Sequence, residues 1–312
     1  MHRRKVLKIL VVASLLAAAC AALVAIHFPY DTEAPLSEAE VKKAIDFYGR
    51  AYQAARDDRP TAEDDEYAKV AAEAAQVFNI KERLQSFLDQ YGLKDKKALD
   101  IGAGSGYLQD VVADYTGLDI SPTAQRFFKK PFVLGTATAL PFPDNQFDVV
   151  WSIWVLEHVQ NPEQALREMR RVVKPNGFIY LQPAWYVVTW LGDGYGVRPY
   201  SDFNLRGKII KASVPLRRSP LFRGSYTVPI RVLRLLDVWM ESSPSTLHYR
   251  RLTPNYEKYW GPDSDAVNSI DPYEAYLWFT SRGDECLNWP AEIPSIFRHA
   301  RSDLLIIRVK ER

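Results

Sequence analysis

Short apolar runs alternating with segments of helical period fill the chain from about residue 97 to residue 183. KKALDIG reads as a strand, and the segment after Gly106 as a helix. TGLDI is a second strand, and SPTAQRFF begins a helix with Ser121 as N-cap and Pro122 in the first turn. PFVLGT is a third strand. FDVVWSIWVL is apolar on both faces, the pattern of a central parallel strand. Asn161-Pro162-Glu163-Gln164 is a capping-box start for a helix that Lys174-Pro175-Asn176-Gly177 ends, and GFIYLQPA is the fifth strand. Strands and helices alternating at this pace predict a parallel, doubly wound α/β sheet.

Outside this stretch the pattern changes. Residues 29–37, PYDTEAPLS, read as a short linker, followed by charged helical segments with an acidic break at RDDRPTAEDDE; YAKVAAEAAQVFNIKERLQSFLDQY repeats apolar residues at spacings of three and four, as a packed helix does. Residues 184–262 form a long insertion after strand five in which basic and aromatic residues interleave. PIRVLRLLDVWM within it has an apolar helical face. Two readings stay open for the insertion: a substrate lid that touches a membrane surface, or a subdomain with a solvated basic rim covering the site. Asp271-Pro272-Tyr273-Glu274 starts another capped helix, and DECLN and DLLIIRVK are the last two strands. The expected domain plan is residues 1–30 as an anchor or signal segment, 31–96 as linker and helices, and 97–312 as the α/β domain.

The N-terminus reads MHRRKVLK and then ILVVASLLAAACAALVAIHF, twenty residues without an acid, Lys or Arg. At 1.5 Å per residue, about twenty apolar residues cross a hydrocarbon core, so a single-pass transmembrane helix is expected. A cleaved signal peptide is the rival reading, and Cys20 as a lipidated residue fits less well. Arg3, Arg4, Lys5 and Lys8 precede the run and acids follow it, which would place the main domain across the membrane from the N-terminus.

Composition narrows the chemistry. A net charge of +2 over 312 residues gives no surface for neutralising nucleic-acid phosphates. Two cysteines, Cys20 and Cys286, make neither a disulfide framework nor a Cys-based zinc site.

The glycines in DIGAGSGYL carry the clearest chemical signal. Strand, glycine loop and helix together would gather free backbone N–H groups around a ligand. The spacing, Gly102, Gly104 and Gly106, is G-x-G-x-G, and a dinucleotide fingerprint would need glycine where Tyr107 stands. NAD and FAD are therefore disfavoured. Asp119, closing the second strand, is placed to accept two hydrogen bonds from ribose hydroxyls.

Here a family resemblance becomes specific. DIGAGSGYL, LDIS, LPFPDNQFDVVWSIWVLEHV and ALREMRRVVKPNGFI resemble, in order, the motifs of Rossmann-like, S-adenosylmethionine-dependent methyltransferases of the type 11 group, over residues 97–183. Residues 271–310 fit that family's C-terminal end. The resemblance implies a mostly parallel sheet of seven strands with the last antiparallel. It implies S-adenosylmethionine as cofactor, with Asp100 at its amino end and Gly102, Gly104 and Gly106 along its methionine and ribose portions. Asp119 would bind the ribose, Ile120 the adenine face, and Ser152 the methionine portion. Family members often carry Gly-Asp-Ala after the third strand where this chain has Gly135-Thr136-Ala137, so Thr136 and Ala137 would meet the adenine amino group without charge assistance.

Methyl transfer from a sulfonium needs a base only when the acceptor must lose a proton, and Glu157 and His158 are the nearest candidates. A purely structural role for the two stands beside that reading. Some relatives bind a divalent metal with E-x-x-E-H; Trp154 occupies the first acid's place here, so no metal is expected. The expected function is methyl transfer to a small-molecule, lipid-linked or saccharide acceptor near a membrane. A non-catalytic cofactor-binding scaffold, and transfer of another group from a related sulfonium, are the alternatives.

Overall fold

The computed structural model describes residues 2–27, 37–54, 65–241, 243–258, 260–289 and 304–311. Most of the linker-like PYDTEAPLS and of the acidic break lies outside them. Four helices precede the sheet: α1 (His2–His27), α2 (Glu38–Ala54), α3 (Asp65–Val77) and α4 (Ile80–Gln90). The strands that follow are β1 (Ala98–Ile101), β2 (Tyr115–Asp119), β3 (Phe132–Leu134), β4 (Phe147–Ile153) and β5 (Val173–Gln182), with α5 (Pro162–Val172) between the last two. Helices α6 (Leu205–Arg218) and α7 (Pro220–Met240) make up the insertion. A small hairpin, β6 (Tyr249–Arg251) with β7 (Asn268–Ile270), then leads to α8 (Pro272–Thr280), β8 (Glu285–Cys286) and β9 (Leu305–Arg308).

The main sheet has seven strands in the order β3-β2-β1-β4-β5-β9-β8. Strands β1 to β5 pair in parallel, and β9 runs antiparallel to both β5 and β8. This is the expected sheet with its antiparallel final strand. Alternation along β4 explains its central place: Val150 joins the core packed by Leu166 and Met169 of α5 and by α8, while Val149 and Trp151 join the opposite core with Leu84, Phe87 and Leu88 of α4. A strand apolar on both faces is thereby buried on both. The start of α5 is capped as its sequence predicts, the Asn161 side chain accepting from the Gln164 N–H.

Two local expectations do not hold. The segment after Gly106 makes only turns of the i→i+3 kind, Gln109 N–H to Gly106 and Val111 N–H to Leu108, in place of a helix. Gln109 turns its amide onto the Gly106 and Phe127 carbonyls, a local competition that helix formation would have to break. Likewise SPTAQRFF closes into one 3₁₀ turn, Ala124–Phe127.

The expectation of a membrane-spanning N-terminal helix, and of a single-pass membrane location with it, is overturned. Among the described residues no helix is long and apolar enough to cross a membrane. Instead of standing apart from the rest of the chain, α1 packs against α7.

The insertion is bolted to the domain by charge. Arg231 makes two hydrogen bonds to Asp271, at 2.9 and 2.8 Å, and Arg234 makes two to Glu274, at 2.9 and 3.1 Å. All four residues are buried. Asp271 and Glu274 sit at the N-cap and in the first turn of α8, so the same carboxylates start that helix and hold α7. These two arginines are therefore not part of a solvated rim.

Candidate active site

After β1 the chain passes through three glycines in the left-handed region, with φ of 74° at Gly102, 52° at Gly104 and 69° at Gly106. Glycine holds this conformation without a side-chain penalty. At Gly102 space decides as well, since an added Cβ would meet Val155 Cγ2 at 2.2 Å. Asp119, at the end of β2, fastens the loop: its Oδ2 accepts from the Gly104 N–H and its Oδ1 from the Ser121 N–H, each at 2.8 Å. Burial pushes the Asp119 carboxyl above its ordinary range, while the N–H groups of Ser121, Gly104 and Ile120 pull it back. Each carboxylate oxygen keeps further lone-pair capacity for a ligand.

A cavity of about 780 Å³ opens at the carboxyl ends of the strands, where open parallel sheets place their ligands. Gly102, Asp119 and Ile120 form one wall, and the turn after β3, including Thr136 and Ala137, a second. Trp154, Val155 and His158 close the far end. Helix α2 lies across the opening with Val41, Ala44, Ile45, Tyr48 and Tyr52. Thr136 keeps its hydroxyl 3.0 Å from that of Thr138.

Of the candidates, Gly102, Asp119, Ile120, Thr136, Ala137 and His158 thus share one cavity, whereas Asp100, Gly104, Gly106, Ser152 and Glu157 stand behind its wall. Ser152 is buried at the end of β4 with its hydroxyl unpartnered. Asp100 is buried and accepts from the Tyr115 hydroxyl at 2.8 Å. Burial raises its carboxyl to about 7, against the pull of Tyr115 and Trp151.

A carboxyl titrating near 7 in the fold and near about 4 in the unfolded chain costs stability increasingly as pH rises between those values. Asp100→Asn keeps an acceptor for Tyr115 and removes the charge. Thermal unfolding is expected to show it equal to the wild type at pH 4 and more stable by roughly 2–4 kcal/mol at pH 8. A difference that does not change with pH would contradict this account.

Glu157 and His158 lie in the 3₁₀ turn Leu156–His158 after β4. Glu157 Oε1 accepts from the Ala184 N–H at 2.9 Å and lies 4.0 Å from His158 Nε2; Oε2 is buried without a partner. Burial raises the Glu157 carboxyl to about 7, with His158 pulling it down. His158 Nδ1 lies 3.2 Å from Asp265 Oδ2, close enough for an ion pair but not aligned as a hydrogen bond. Burial lowers the imidazole's affinity for a proton, yet Asp265, Glu157 and Asp263 outweigh that and raise it. Asp265 also accepts from the Tyr48 hydroxyl of α2 at 2.7 Å.

Asp263 and Asp265 were not among the candidates. They come from the stretch before β7, which is stitched to the turn after β4. The Val267 N–H donates to Glu157 O at 2.9 Å, and the Asn268 amide donates to Leu156 O at 3.1 Å and Val159 O at 2.6 Å. No local spacing in the sequence announces that meeting. The one available signal was the pair of acids in GPDSDAVN, just before a strand.

Residues 99–181 match the model of a family described as a methyltransferase domain. A demethylmenaquinone methyltransferase of Renibacterium salmoninarum is 40% identical over 91 residues, 26% of this chain and 38% of that protein. An uncharacterized methyltransferase of Mycobacterium tuberculosis is 38% identical over 105 residues, 30% of this chain and 40% of that one. A ubiquinone/menaquinone biosynthesis C-methyltransferase of Burkholderia mallei is 33% identical over 130 residues, 32% of this chain and 54% of that one. The chain therefore spans less than two thirds of the length of these relatives. The matched stretch covers the glycine loop, Asp119 and the turn after β4 together. With the loop, the acid at the end of β2 and the strand order all agreeing with that match, residues 99–181 constitute a methyltransferase domain of the Rossmann-like class that uses S-adenosylmethionine.

Proposed function

We propose that the whole chain transfers the methyl group of S-adenosylmethionine to a small, largely apolar acceptor held between the sheet and α2. The observation that carries this reading is the shared cavity. Asp119 and Gly102 stand on one side, His158 at the other end, and Val41, Ala44 and Ile45 of α2 give an apolar surface between them. Asp119 would hold the ribose hydroxyls, with Ile120 beside the adenine and Thr136 and Ala137 at its amino edge. Ser152 has an unpartnered buried hydroxyl at the strand end from which the methionine portion would be reached.

His158 would take the proton when the acceptor's nucleophilic atom carries one. The Asp265 carboxylate beside Nδ1 would steady the ring once that proton has been taken. Quinone-type rings are one acceptor class consistent with the names of two relatives and with an apolar lining. A lipid-linked or saccharide acceptor, the class expected from the sequence, is the other. S-adenosylmethionine supplies an activated methyl group and a neutral leaving thioether; the protein's task is to align acceptor and sulfonium and to exclude water.

Calorimetric titration with S-adenosylmethionine tests the reading at its base. The wild type is expected to bind, and Asp119→Ala to bind at least about 100-fold more weakly, because ribose contacts and two loop-fastening hydrogen bonds are lost together. No binding by the wild type, or equal binding by the variant, would sink it.

A further inference from the structure

We infer that Glu157, His158 and Asp263 form a binding site for a first-row divalent cation of the Zn2+ or Mn2+ type. One ligand atom from each of the three lies within 4.8 Å of the others, so a contraction of a few tenths of an ångström brings them to one ion that binds at about 2.0–2.2 Å. Trp154 does stand where a first acid would complete a local acidic motif. Asp263, more than a hundred residues later, supplies a carboxylate in its stead.

Three features distinguish this from a chance cluster of acids. First, Glu157 is 1% exposed and its Oε2 has no partner, an orphaned buried oxygen of the kind that an ion satisfies. Second, three carboxylates gather around one imidazole, and among the described residues the ion pairs to Glu157 and Asp265 come from His158 alone. A divalent cation would offset that negative excess where a single imidazolium does not. Third, Asp265 lies beside His158 Nδ1 and is itself held by Tyr48, which leaves Nε2 on the Glu157 side. A carboxylate behind a ligating histidine is the usual way such a ring is oriented. Three hydrogen bonds, one from the Val267 N–H and two from the Asn268 side-chain amide, hold the two segments together, so the site does not depend on a flexible loop.

An ion held there would lie against the cavity end that His158 forms. With the ion bound, His158 is a ligand and not the free base of the metal-free reading, and the ion takes over that role by binding an acceptor oxygen and lowering its proton affinity.

The test uses the full chain, stripped with EDTA, desalted and titrated separately with ZnCl2 and MnCl2 by calorimetry. One ion per chain is expected for the wild type. Glu157→Gln and Asp263→Asn are each expected to weaken binding by at least about tenfold. Asp263 has a left-handed φ of 63°, which asparagine tolerates, so the second variant preserves the backbone. Should a variant fail to fold, the wild type alone still decides, through a rise in its thermal midpoint with added Mn2+ that EDTA reverses. No saturable binding by the wild type below about 1 mM, or wild-type binding by both variants, would overturn the inference. Ion binding is read without S-adenosylmethionine, so a protein that binds the ion and not the cofactor would refute the methyltransferase reading and leave this one standing.

Discussion

Arg231→Met is expected to lower the stability of the protein by about 3–5 kcal/mol, read as a shift of the urea or thermal midpoint. Arg231 is among the largest fully buried side chains, and its guanidinium is spent on Asp271 through two bonds and on the Tyr186 hydroxyl at 2.6 Å. Methionine fills the volume but leaves the Asp271 carboxylate buried beside an apolar chain. That uncompensated charge is the main penalty, larger than the loss of the pair itself. Asp271→Asn retains the oxygen that caps α8 through the Tyr273 N–H at 2.8 Å. The Arg231→Met, Asp271→Asn double variant is therefore expected to recover about 1–3 kcal/mol of the loss. A single variant costing under about 1 kcal/mol, or a double variant as unstable as the single, would show that the pair does not bear on the fold.

The cofactor cavity makes the second large prediction. Gly102→Ala puts a methyl group 2.2 Å from Val155 Cγ2 in a residue whose φ is 74°. The left-handed backbone alone costs an alanine about 1 kcal/mol. The clash has no cheap outlet, because Val155 forms part of the cavity wall and its carbonyl accepts from the His158 N–H at 2.9 Å. Driving Val155 aside would move it into the cavity and displace the adjoining turn Leu156–His158. Binding of S-adenosylmethionine is expected to fall by more than about 100-fold with a loss of some 2–4 kcal/mol in stability. Val155→Ala removes the clashing γ-carbons, so the Gly102→Ala, Val155→Ala pair is expected to bind more tightly than Gly102→Ala alone. Equal affinity of the wild type and Gly102→Ala would mean that the loop does not meet the cofactor.

Much of the sheet was legible because its signals are local. The apolar stretch in β4 could only be buried on both sides, and the Asn161-Pro162 start of α5 carries its own cap. The glycine loop was legible for the same reason: left-handed backbone needs glycine wherever the rest of the chain goes. The helix expected after Gly106 failed on a competition that its apolar residues do not reveal, the Gln109 amide taking nearby carbonyls.

The rest of the site was hidden by distance. Glu157 and His158 were visible as neighbours, but their meaning depends on Asp263 and Asp265, which only the folded insertion brings in. Arg231 and Arg234 looked like members of a basic stretch. Their spacing of three matches that of Asp271 and Glu274, which is the trace that two facing helices leave. An isolated reading of charge along the chain has no means of pairing the two.

Helix α2 closes the cavity without belonging to the sheet. It is fastened from outside, by the Tyr48 hydroxyl on Asp265, the Tyr48 carbonyl on Ser121, and Glu40 on Arg251 at 3.1 Å. These fasteners reach both the α/β body and the insertion. The cavity's cover is therefore fastened through the same Asp265 carboxylate that lies beside His158. Any opening of α2 that admits or releases a ligand must break the Tyr48–Asp265 bond, so helix movement and the charge beside His158 are coupled.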